Sequence, residues 1–285
     1  MKRTAKNPSA ILCSDLHLRE DTPIGRTDDY MQAQLRKLEF LWAEADKYQV
    51  PIFCSGDIFH KAKSSPYLES ITINCLPEDM TIIPGQHDLP NHNIDNYGKS
   101  SLNVLETAQE ALHMHRVAYN DIATFDYIRR IGLIHTMVQK PNDKQDEIIG
   151  GTNAITLLRK YPDLDLIVSG DNHKPFIVEY EGRLLVNPGS MMRMTAAQID
   201  HKPRVYLWYA EDNTVEPAYY PIEENVISRE HIEIQEQRDE RIDAFVSRIN
   251  DDYEIGLSFE KNLEEFFLSN KIRKPVQDII WEEME

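Results

Sequence analysis

The sequence has few cysteines and no hydrophobic run long enough to span a membrane. Only three cysteines occur in 285 residues, at Cys13, Cys54 and Cys75. Their number and spacing suit neither a disulfide framework nor a zinc knot, so we expect reduced thiols and a cytoplasmic protein. No apolar run approaches the roughly 20 residues of a membrane span. The first residues also lack the apolar core of a secretion signal, so no membrane partner is predicted.

Positive charge is also scarce. The chain has 31 lysines and arginines against 48 aspartates and glutamates, a net charge of −17. This balance excludes a basic surface spread over the whole molecule, which is one way in which proteins attract nucleic acid. It does not exclude a polyanionic substrate, because divalent cations held by carboxylates would reverse the sign of the charge locally.

The first third of the sequence alternates between strand and helix patterns. Short apolar runs at 10–14, 51–55 and 80–84 predict buried strands. Between these runs, apolar residues at helical spacing predict helices over 30–48 and 65–76. The order is therefore strand, helix, strand, helix, strand.

Strand patterns dominate the middle of the sequence, after a helix predicted over 100–110. The predicted strands cover 122–127, 131–135, 164–169, 176–180, 183–186 and a pair within 203–220. A helix predicted at 152–161 interrupts them. We therefore predict an α/β fold over residues 1–224, in which two packed mixed β-sheets are flanked by helices, a four-layer α/β/β/α sandwich.

Residues 225–285 have a different composition from the rest. Apolar residues recur at helical intervals among many glutamates and arginines over 228–250 and 260–270. This pattern predicts a small helical C-terminal segment. Two interpretations remain open, namely an acidic solvated cap on the domain edge or a segment that docks a partner.

Polar residues that can bind metal follow several of the predicted strands. In chain order these candidates are Asp15 and His17, Asp57, Gln86 with His87 and Asp88, His135, and Asp171 with His173. Residues i and i+2 of an extended chain point the same way, so Asp15 and His17 are expected to project together. A lone histidine or aspartate at a strand end is usually structural. Five such places in order predict a shared pocket at the carboxyl edge of the sheets.

These motifs, in this order, resemble those of the calcineurin-like metallophosphoesterases. That family carries D-x-H, G-D, G-N-H-[DE], a lone histidine and G-H-x-H, and the resemblance spans roughly residues 10–190. Within it, the stretch Gly56–His60 is similar to the SbcD-type DNA repair nucleases, the counterparts of the meiotic recombination nuclease. The segment Asn187–Ser190 with Arg193 resembles their Pro-Gly-Ser stretch. A compact, phage-type member of that group would match the length.

The resemblance implies a site with two divalent metal ions. The implied ligands are Asp15, His17 and His173 for the first ion, Asp57 for both, and Gln86, His135 and Asp171 for the second. Gln86 and Asp171 depart from the family, which has asparagine and histidine at these positions. The larger share of oxygen ligands favours manganese, or magnesium, over zinc. A weak or empty second site is the open alternative.

The resemblance also implies residues that act on the phosphate. His87 would contact the phosphate or protonate the leaving group, oriented by Asp88, and His60 would touch the phosphate or the nucleotide. The functional prediction is a manganese-dependent DNA nuclease in which a hydroxide activated by two metal ions hydrolyses phosphodiesters.

The nuclease prediction brings expected partners and leaves two alternatives. By the resemblance, the partners are DNA, an SMC-like ATPase of the SbcC type and a second copy of the chain in a homodimer. One alternative is a phosphodiesterase for small molecules or nucleotides, which the net charge of −17 favours. The other is a non-catalytic scaffold for DNA processing, with a degenerate second metal site.

Overall fold

The computed structural model describes residues 6–77, 79–109, 112–141, 151–230, 232, 241–242 and 259–282. The chain separates into two compact units, Met1–Ser228 and Arg229–Glu285. Within the described ranges, no helix combines the length and the apolarity needed to cross a membrane.

The first unit is built mainly of strands, numbered here along the chain. They are β1 (Ala10–Cys13), β2 (Ile52–Cys54), β3 (Met80–Ile82), β4 (Leu112–Met114), β5 (Ile122–Asp126), β6 (Arg130–His135), β7 (Val138–Gln139), β8 (Thr152–Asn153), β9 (Leu166–Gly170), β10 (Phe176–Tyr180), β11 (Arg183–Asn187), β12 (Arg204–Tyr209) and β13 (Thr214–Tyr219). Its α-helices are α1 (Tyr30–Tyr48), α2 (Pro66–Cys75), α3 (Ser101–Ala108) and α4 (Ala154–Lys160). Short 3₁₀ turns cover Gln86–Asp88, Pro90–His92, Ile94–Lys99 and Ala196–Gln198.

The strands form two mixed sheets and a small two-stranded one, β7-β8. The larger sheet has the order β13-β12-β1-β2-β3-β4, and the second has the order β10-β11-β9-β6-β5. Strands β1 to β4 run parallel, while β12 pairs antiparallel with β1 and β13 pairs antiparallel with β12 at one edge. In the second sheet β6, β9 and β11 are parallel, with antiparallel strands at both edges. Each sheet therefore has parallel strands that end at a common edge.

The two sheets pack face to face through one apolar cluster. Its members include Leu12, Phe53 and Trp208 from the first sheet and Leu133 and Val168 from the second. These side chains come from alternate positions of each strand, as packed sheets require. Helices cover the outer faces, because α1, α2 and α3 share a second cluster with the first sheet, and α4 shares a third with the other. The predicted four-layer α/β/β/α architecture is confirmed.

Side-chain caps begin the helices of the first layer. The side chain of Asp29 accepts from the backbone N–H of Gln32 at the start of α1. Ser65 and Ser100 cap α2 and α3 in the same way. Each cap satisfies a backbone donor that the helix itself leaves unpaired. The chain therefore enters these helices at positions that the sequence marks.

The structure adds elements that the sequence patterns did not predict. Strand β4 has only three residues, with the exposed His113 between two apolar side chains. Three consecutive 3₁₀ turns fill much of the stretch between β3 and α3. Both are too short for a periodicity to develop, and their conformation depends on neighbours distant in sequence. The described helix α4 is also shorter than the predicted 152–161.

The second unit has two described helices, α5 (Phe259–Ser269) and α6 (Lys274–Glu282). The first matches the helix predicted over 260–270, and the second was not predicted. The rings of Phe267 and Trp281 pack edge to face at 6.1 Å between centroids. Most of the helix predicted over 228–250 lies outside the described residues. The assignment of residues 225–285 as an acidic cap or docking segment stays a prediction.

Candidate metal centre

The predicted site residues meet where the parallel strands of both sheets end. Asp15 and Asp57 follow β1 and β2, Gln86 follows β3, His135 ends β6, and Asp171 follows β9. The carboxyl ends of neighbouring parallel strands lie at one edge of a sheet, and packing two sheets face to face brings two such edges together. The structure therefore brings residues such as His17 and His173, which are more than 150 positions apart in the sequence, into one cluster.

The backbone at this edge differs from the extended conformation expected from the sequence. Strand β1 ends at Cys13, and Asp15 and His17 adopt φ values of 53° and 46°. Asp57 and Asp171 are also left-handed, with φ of 54° and 84°. Such conformations cost non-glycine residues roughly 1–3 kcal/mol and persist where surrounding contacts hold them. The expected reason for the convergence of Asp15 and His17 was therefore wrong, although the two side chains do converge.

Backbone hydrogen bonds hold the two loops after β1 and β2 against each other. The N–H of Asp15 donates to the backbone carbonyl of Gly56 at 3.0 Å, and the N–H of His17 donates to the backbone carbonyl of Asp57 at 2.9 Å. Gly56 has φ of 92°, and a Cβ there would lie 2.7 Å from Nδ1 of His135. Only glycine adopts this positive φ readily and also leaves room for the His135 ring, because it has no Cβ. The loops are thus fixed relative to each other and to His135.

One group of possible ligands consists of Asp15, His17 and His173. Their ligating atoms lie within 4.8 Å of one another. Nε2 of His17 is 3.0 Å from Nε2 of His173, and each of these nitrogens is 3.8 Å from Oδ1 of Asp15. Two nitrogens and one carboxylate that converge in this way form a set that divalent transition metals accept.

A second group consists of Asp15, Asp57 and His135. Oδ2 of Asp57 lies 3.3 Å from Nε2 of His135 and 3.5 Å from Nε2 of His17, so this oxygen faces both groups. Nδ1 of His135 is 2.5 Å from the carbonyl oxygen of Ser55. Because a carbonyl only accepts, Nδ1 donates and the ring orientation leaves Nε2 facing the pocket. Asp57 occupies the position from which it can serve both groups.

Several buried polar atoms in the two groups make no hydrogen bond to any described residue. They are Oδ2 of Asp15, Nδ1 of His17, Oδ2 of Asp57 and Nε2 of His135. All four side chains are at most 1% exposed. An unpaired buried polar group costs about 1–3 kcal/mol, more when it is charged. Divalent cations would give partners to both carboxylate oxygens and to Nε2 of His135, so the residues present fit a metal site.

The electrostatics of the cluster follow from its burial and its paired charges. Burial raises the pKa of Asp15, against the lowering effect of His135 and His173. Burial also opposes ionisation of Asp57, but His135 and His17 nearby hold its pKa below the usual value. Burial disfavours the charged form of His135, yet the adjacent Asp57 carboxylate raises its pKa to about 10. The pocket therefore favours positive charge next to Asp57.

His60 and His87 lie beside the two groups. Their rings stack at 5.5 Å between centroids with an interplanar angle of 17°, and the His87 ring is 4.9 Å from that of His17. Nδ1 of His87 donates to the carbonyl of His60 at 3.0 Å, and the backbone N–H of His87 donates to Oδ1 of Asp57 at 2.8 Å. Burial lowers the pKa of His60 to about 4, so it is neutral. The three side chains His17, His60 and His87 are also close enough to share an ion.

The Asp88 carboxylate bonds backbone groups and not the imidazole of His87, which it was expected to orient. The carboxylate is buried and accepts from the backbone N–H groups of Ile58, Phe59 and Gly85 at 3.2, 2.9 and 2.9 Å. Asp88 therefore connects the loop after β2 to the loop after β3. It positions the segments that carry Asp57 and His87. The expectation that Asp88 orients the His87 imidazole directly was wrong.

Gln86 and Asp171, the two departures from the family pattern, bind each other. Nε2 of Gln86 donates to Oδ1 of Asp171 at 2.8 Å, and the hydroxyl of Tyr119 donates to Oδ2 at 2.7 Å. Burial and the neighbouring carboxylate raise the pKa of Tyr119 to about 12, so this hydroxyl remains a donor. In the described part of the chain, Asp171 belongs to none of the close ligand groups. Tyr119 was missed because no motif marks it.

The fold and these side chains define a metal-dependent phosphoesterase of the α/β/β/α sandwich type. A family model described as the calcineurin-like phosphoesterase superfamily domain matches residues 9–207. The chain therefore belongs to the calcineurin-like phosphoesterase superfamily, whose members depend on two metal ions. A search among curated proteins gave no match.

Three solved structures are similar to this chain at low sequence identity. An archaeal phosphodiesterase is 12% identical, with a TM-score of 0.44, covering 74% of this chain and 98% of its own. Vps29 from Cryptosporidium parvum is 18% identical, with a TM-score of 0.40 and coverage of 75% and 97%. Vps29 from Entamoeba histolytica, complexed with Zn²⁺, is 13% identical, with a TM-score of 0.35 and coverage of 74% and 99%.

Proposed function

We propose that this chain is a manganese-dependent nuclease that hydrolyses phosphodiester bonds in DNA. The observation that carries the proposal is the stacked pair His60 and His87 beside His17, which in turn faces Oδ2 of Asp57. His60 closes the stretch Gly56–His60, which resembles the SbcD-type nucleases. A phosphate bound at the two ligand groups would lie within reach of both imidazoles, because His87 also contacts His17.

Asp15, His17 and His173 would hold one ion, and Asp57 would be shared with a second ion at His135. Gln86 and Asp171 would complete the second site from its outer side, since Asp171 keeps unused lone pairs beside its two hydrogen bonds. The oxygen-rich set supports manganese or magnesium rather than zinc. When bound, the two ions would activate a water and neutralise the phosphate oxygens.

The chain's own residues would handle the leaving group. His87 is held by its Nδ1–H bond to the carbonyl of His60, which leaves Nε2 as the atom that can deliver a proton. A general acid of this kind is most valuable where the leaving oxygen is a poor one, such as a deoxyribose hydroxyl. The neutral His60 ring, stacked on His87, would contact the substrate and keep the His87 ring in place.

We also propose the partners that the nuclease assignment brings. The chain has a net charge of −17 and by itself offers little positive surface for the DNA phosphates. An SMC-like ATPase of the SbcC type would supply that positive surface. A homodimer and a cytoplasmic location belong to the same proposal. The free cysteines Cys13, Cys54 and Cys75 support a reducing compartment.

The test is cleavage of single-stranded and double-stranded DNA by the purified protein with Mn²⁺, alone and with the candidate ATPase. A small diester, bis-p-nitrophenyl phosphate, is measured in parallel, and Asp57→Ala controls for contaminating nucleases. We expect DNA cleavage that depends on Mn²⁺ and is lost in the variant. Turnover of the small diester with DNA left intact would instead establish a small-molecule phosphodiesterase. No turnover of either, with a single tight metal ion bound, would indicate the non-catalytic alternative.

A further inference from the structure

A cavity of about 720 Å³ opens directly beside the metal centre. Gln86, His87 and His173 line the end that borders the metal centre, and Lys202 and Arg204 line the cavity as well. We call this space the Lys202 cavity. Ligand sites for molecules of nucleotide size have volumes of about 300–1,000 Å³. The space exceeds what a single phosphate on the metal centre would need.

The walls of the Lys202 cavity suit a nucleoside. Met137, Pro175, Met194 and Ala197 contribute apolar surface, and most of the exposed lining is apolar. Methionine side chains adapt to flat or irregular partners, so they can cover a sugar and a base without a fixed sequence preference. A small phosphomonoester would leave this apolar surface uncovered.

The cations of the Lys202 cavity contrast with the composition of the whole chain. Its lining contains three lysines and arginines and two aspartates, whereas the chain has 31 basic and 48 acidic residues. One of the two aspartates, Asp171, already accepts from Gln86 and Tyr119. A locally positive cavity next to a metal centre attracts a second anionic group of the same substrate.

Arg204 is held in place before any substrate arrives. Its Nε donates to the carbonyl of Lys202 at 2.9 Å, and its guanidinium lies 4.8 Å from the centroid of the Tyr219 ring. It also begins the strand β12, so its backbone is fixed by the sheet. An oriented guanidinium loses less entropy when it binds a phosphate than a flexible side chain does.

The loop that forms one wall of the cavity is also braced from behind. Nε2 of His201 bonds the carbonyl oxygen of Ser190 at 2.8 Å. The side-chain oxygen of Gln198 accepts from the backbone N–H of Met194 at 2.7 Å. The first contact connects residues 194–201 to the segment that follows β11, and the second lies within residues 194–201 and holds that loop together. The wall therefore has a defined shape, as a binding site needs.

We propose that the Lys202 cavity is a substrate subsite for the nucleoside adjoining the scissile phosphate, and that Lys202 and Arg204 bind the next phosphate along the strand. This inference rests on the proposed nuclease function and adds its substrate class. The enzyme acts on chains of at least two linked phosphates and discriminates against isolated esters. Lys202 and Arg204 are positioning residues, since they touch the substrate away from the reacting atoms.

The test compares Lys202→Ala/Arg204→Ala with a matched control, Arg159→Ala/Lys160→Ala. The control removes the same charges from exposed positions of α4, on the outer face of the second sheet. Binding is measured by fluorescence anisotropy with a 12-nucleotide phosphorothioate single strand. We expect about a tenfold weaker Kd in the test variant at low salt, from the loss of two charge-assisted contacts. The slope of log K against log salt should fall by about 0.7, the value for one phosphate on a single strand.

Kinetics supply the second readout. Thymidine p-nitrophenyl phosphate has one nucleoside and no second phosphate, so its kcat/KM should be the same in the test variant and the wild type. The KM for an oligonucleotide should rise about tenfold with kcat kept, because the lost contact positions the strand. Equal losses on both substrates would show damage to the metal centre, and DNA binding equal to that of the control would exclude the subsite. Either result overturns the inference while the nuclease proposal stands. If the wild type binds no DNA, the nuclease proposal fails as well.

Discussion

Replacing His87 by alanine should separate chemistry from metal binding. The His87 side chain contributes a ring 4.9 Å from that of His17 and a hydrogen bond to the carbonyl of His60. The hydrogen bond from His87 to Asp57, by contrast, is donated by the backbone N–H of His87 and survives the substitution. The loop that presents Asp57 should therefore keep its shape, and both ions should stay bound.

The loss of a general acid lowers kcat on DNA by roughly 10²–10⁴-fold, which corresponds to about 3–5 kcal/mol in the barrier. An ester with p-nitrophenolate as leaving group needs no proton, so its kcat should fall by less than about tenfold. Metal content is measured by mass spectrometry and folding by thermal melting. The carbonyl of His60 loses its partner, but at this half-buried position water can replace the donor, so we expect a loss of about 1 kcal/mol in stability.

Two results would refute this reasoning. Equal losses on DNA and on the p-nitrophenyl ester would show that His87 does not protonate the leaving group. A metal content reduced to one ion or none would show that His87 is a ligand, as its closeness to His17 and His60 also permits. His60→Ala is a comparison variant, because it removes a ring that would contact the substrate but keeps the backbone carbonyl that His87 contacts, so its loss of activity should not depend on the leaving group.

Three further predictions concern metal binding and stability. Asp57→Ala should reduce bound metal from two ions to none, because its Oδ2 faces both ligand groups; one tight ion by titration calorimetry would contradict this. Gln86→Asn combined with Asp171→His should raise the affinity for zinc relative to manganese, since an imidazole replaces a carboxylate. An unchanged ratio in competition titrations would mean that neither residue is a ligand. Burial lowers the pKa of Lys37 to about 8, so between about pH 8 and 10 the unfolded chain binds more protons, and the free energy of unfolding rises with pH. Lys37→Met should remove this part of the rise in unfolding free energy, measured by urea melts at pH 7 to 10. If the unfolding free energy depended on pH equally in the variant and the wild type, the prediction would be wrong.

Local patterns in the sequence predicted the layers of the fold and the order of the candidate ligands. A buried strand is an apolar run, and a polar residue directly after it marks the strand end, so Asp15, Asp57 and His135 could be found without any long-range information. The strands predicted over 176–180 and 183–186 rest on the same kind of pattern. They pair antiparallel through Glu181 and Gly182, which both have positive φ, at 53° and 73°. Each of these features depends on neighbours in the chain.

Contacts between distant residues decided the rest. Tyr119 and Gln86 reach Asp171 across 52 and 85 positions, and Asp88 binds backbone groups 29 and 30 positions away. The left-handed backbone at Asp15 also depends on a distant contact, because the hydrogen bonds between the loops after β1 and β2 maintain it. A sequence pattern records which residue type stands at a position, but the partner of a buried donor depends on how the two sheets pack. The sequence alone therefore determined which side chains could bind metal, and only the tertiary structure decided what each of them contacts.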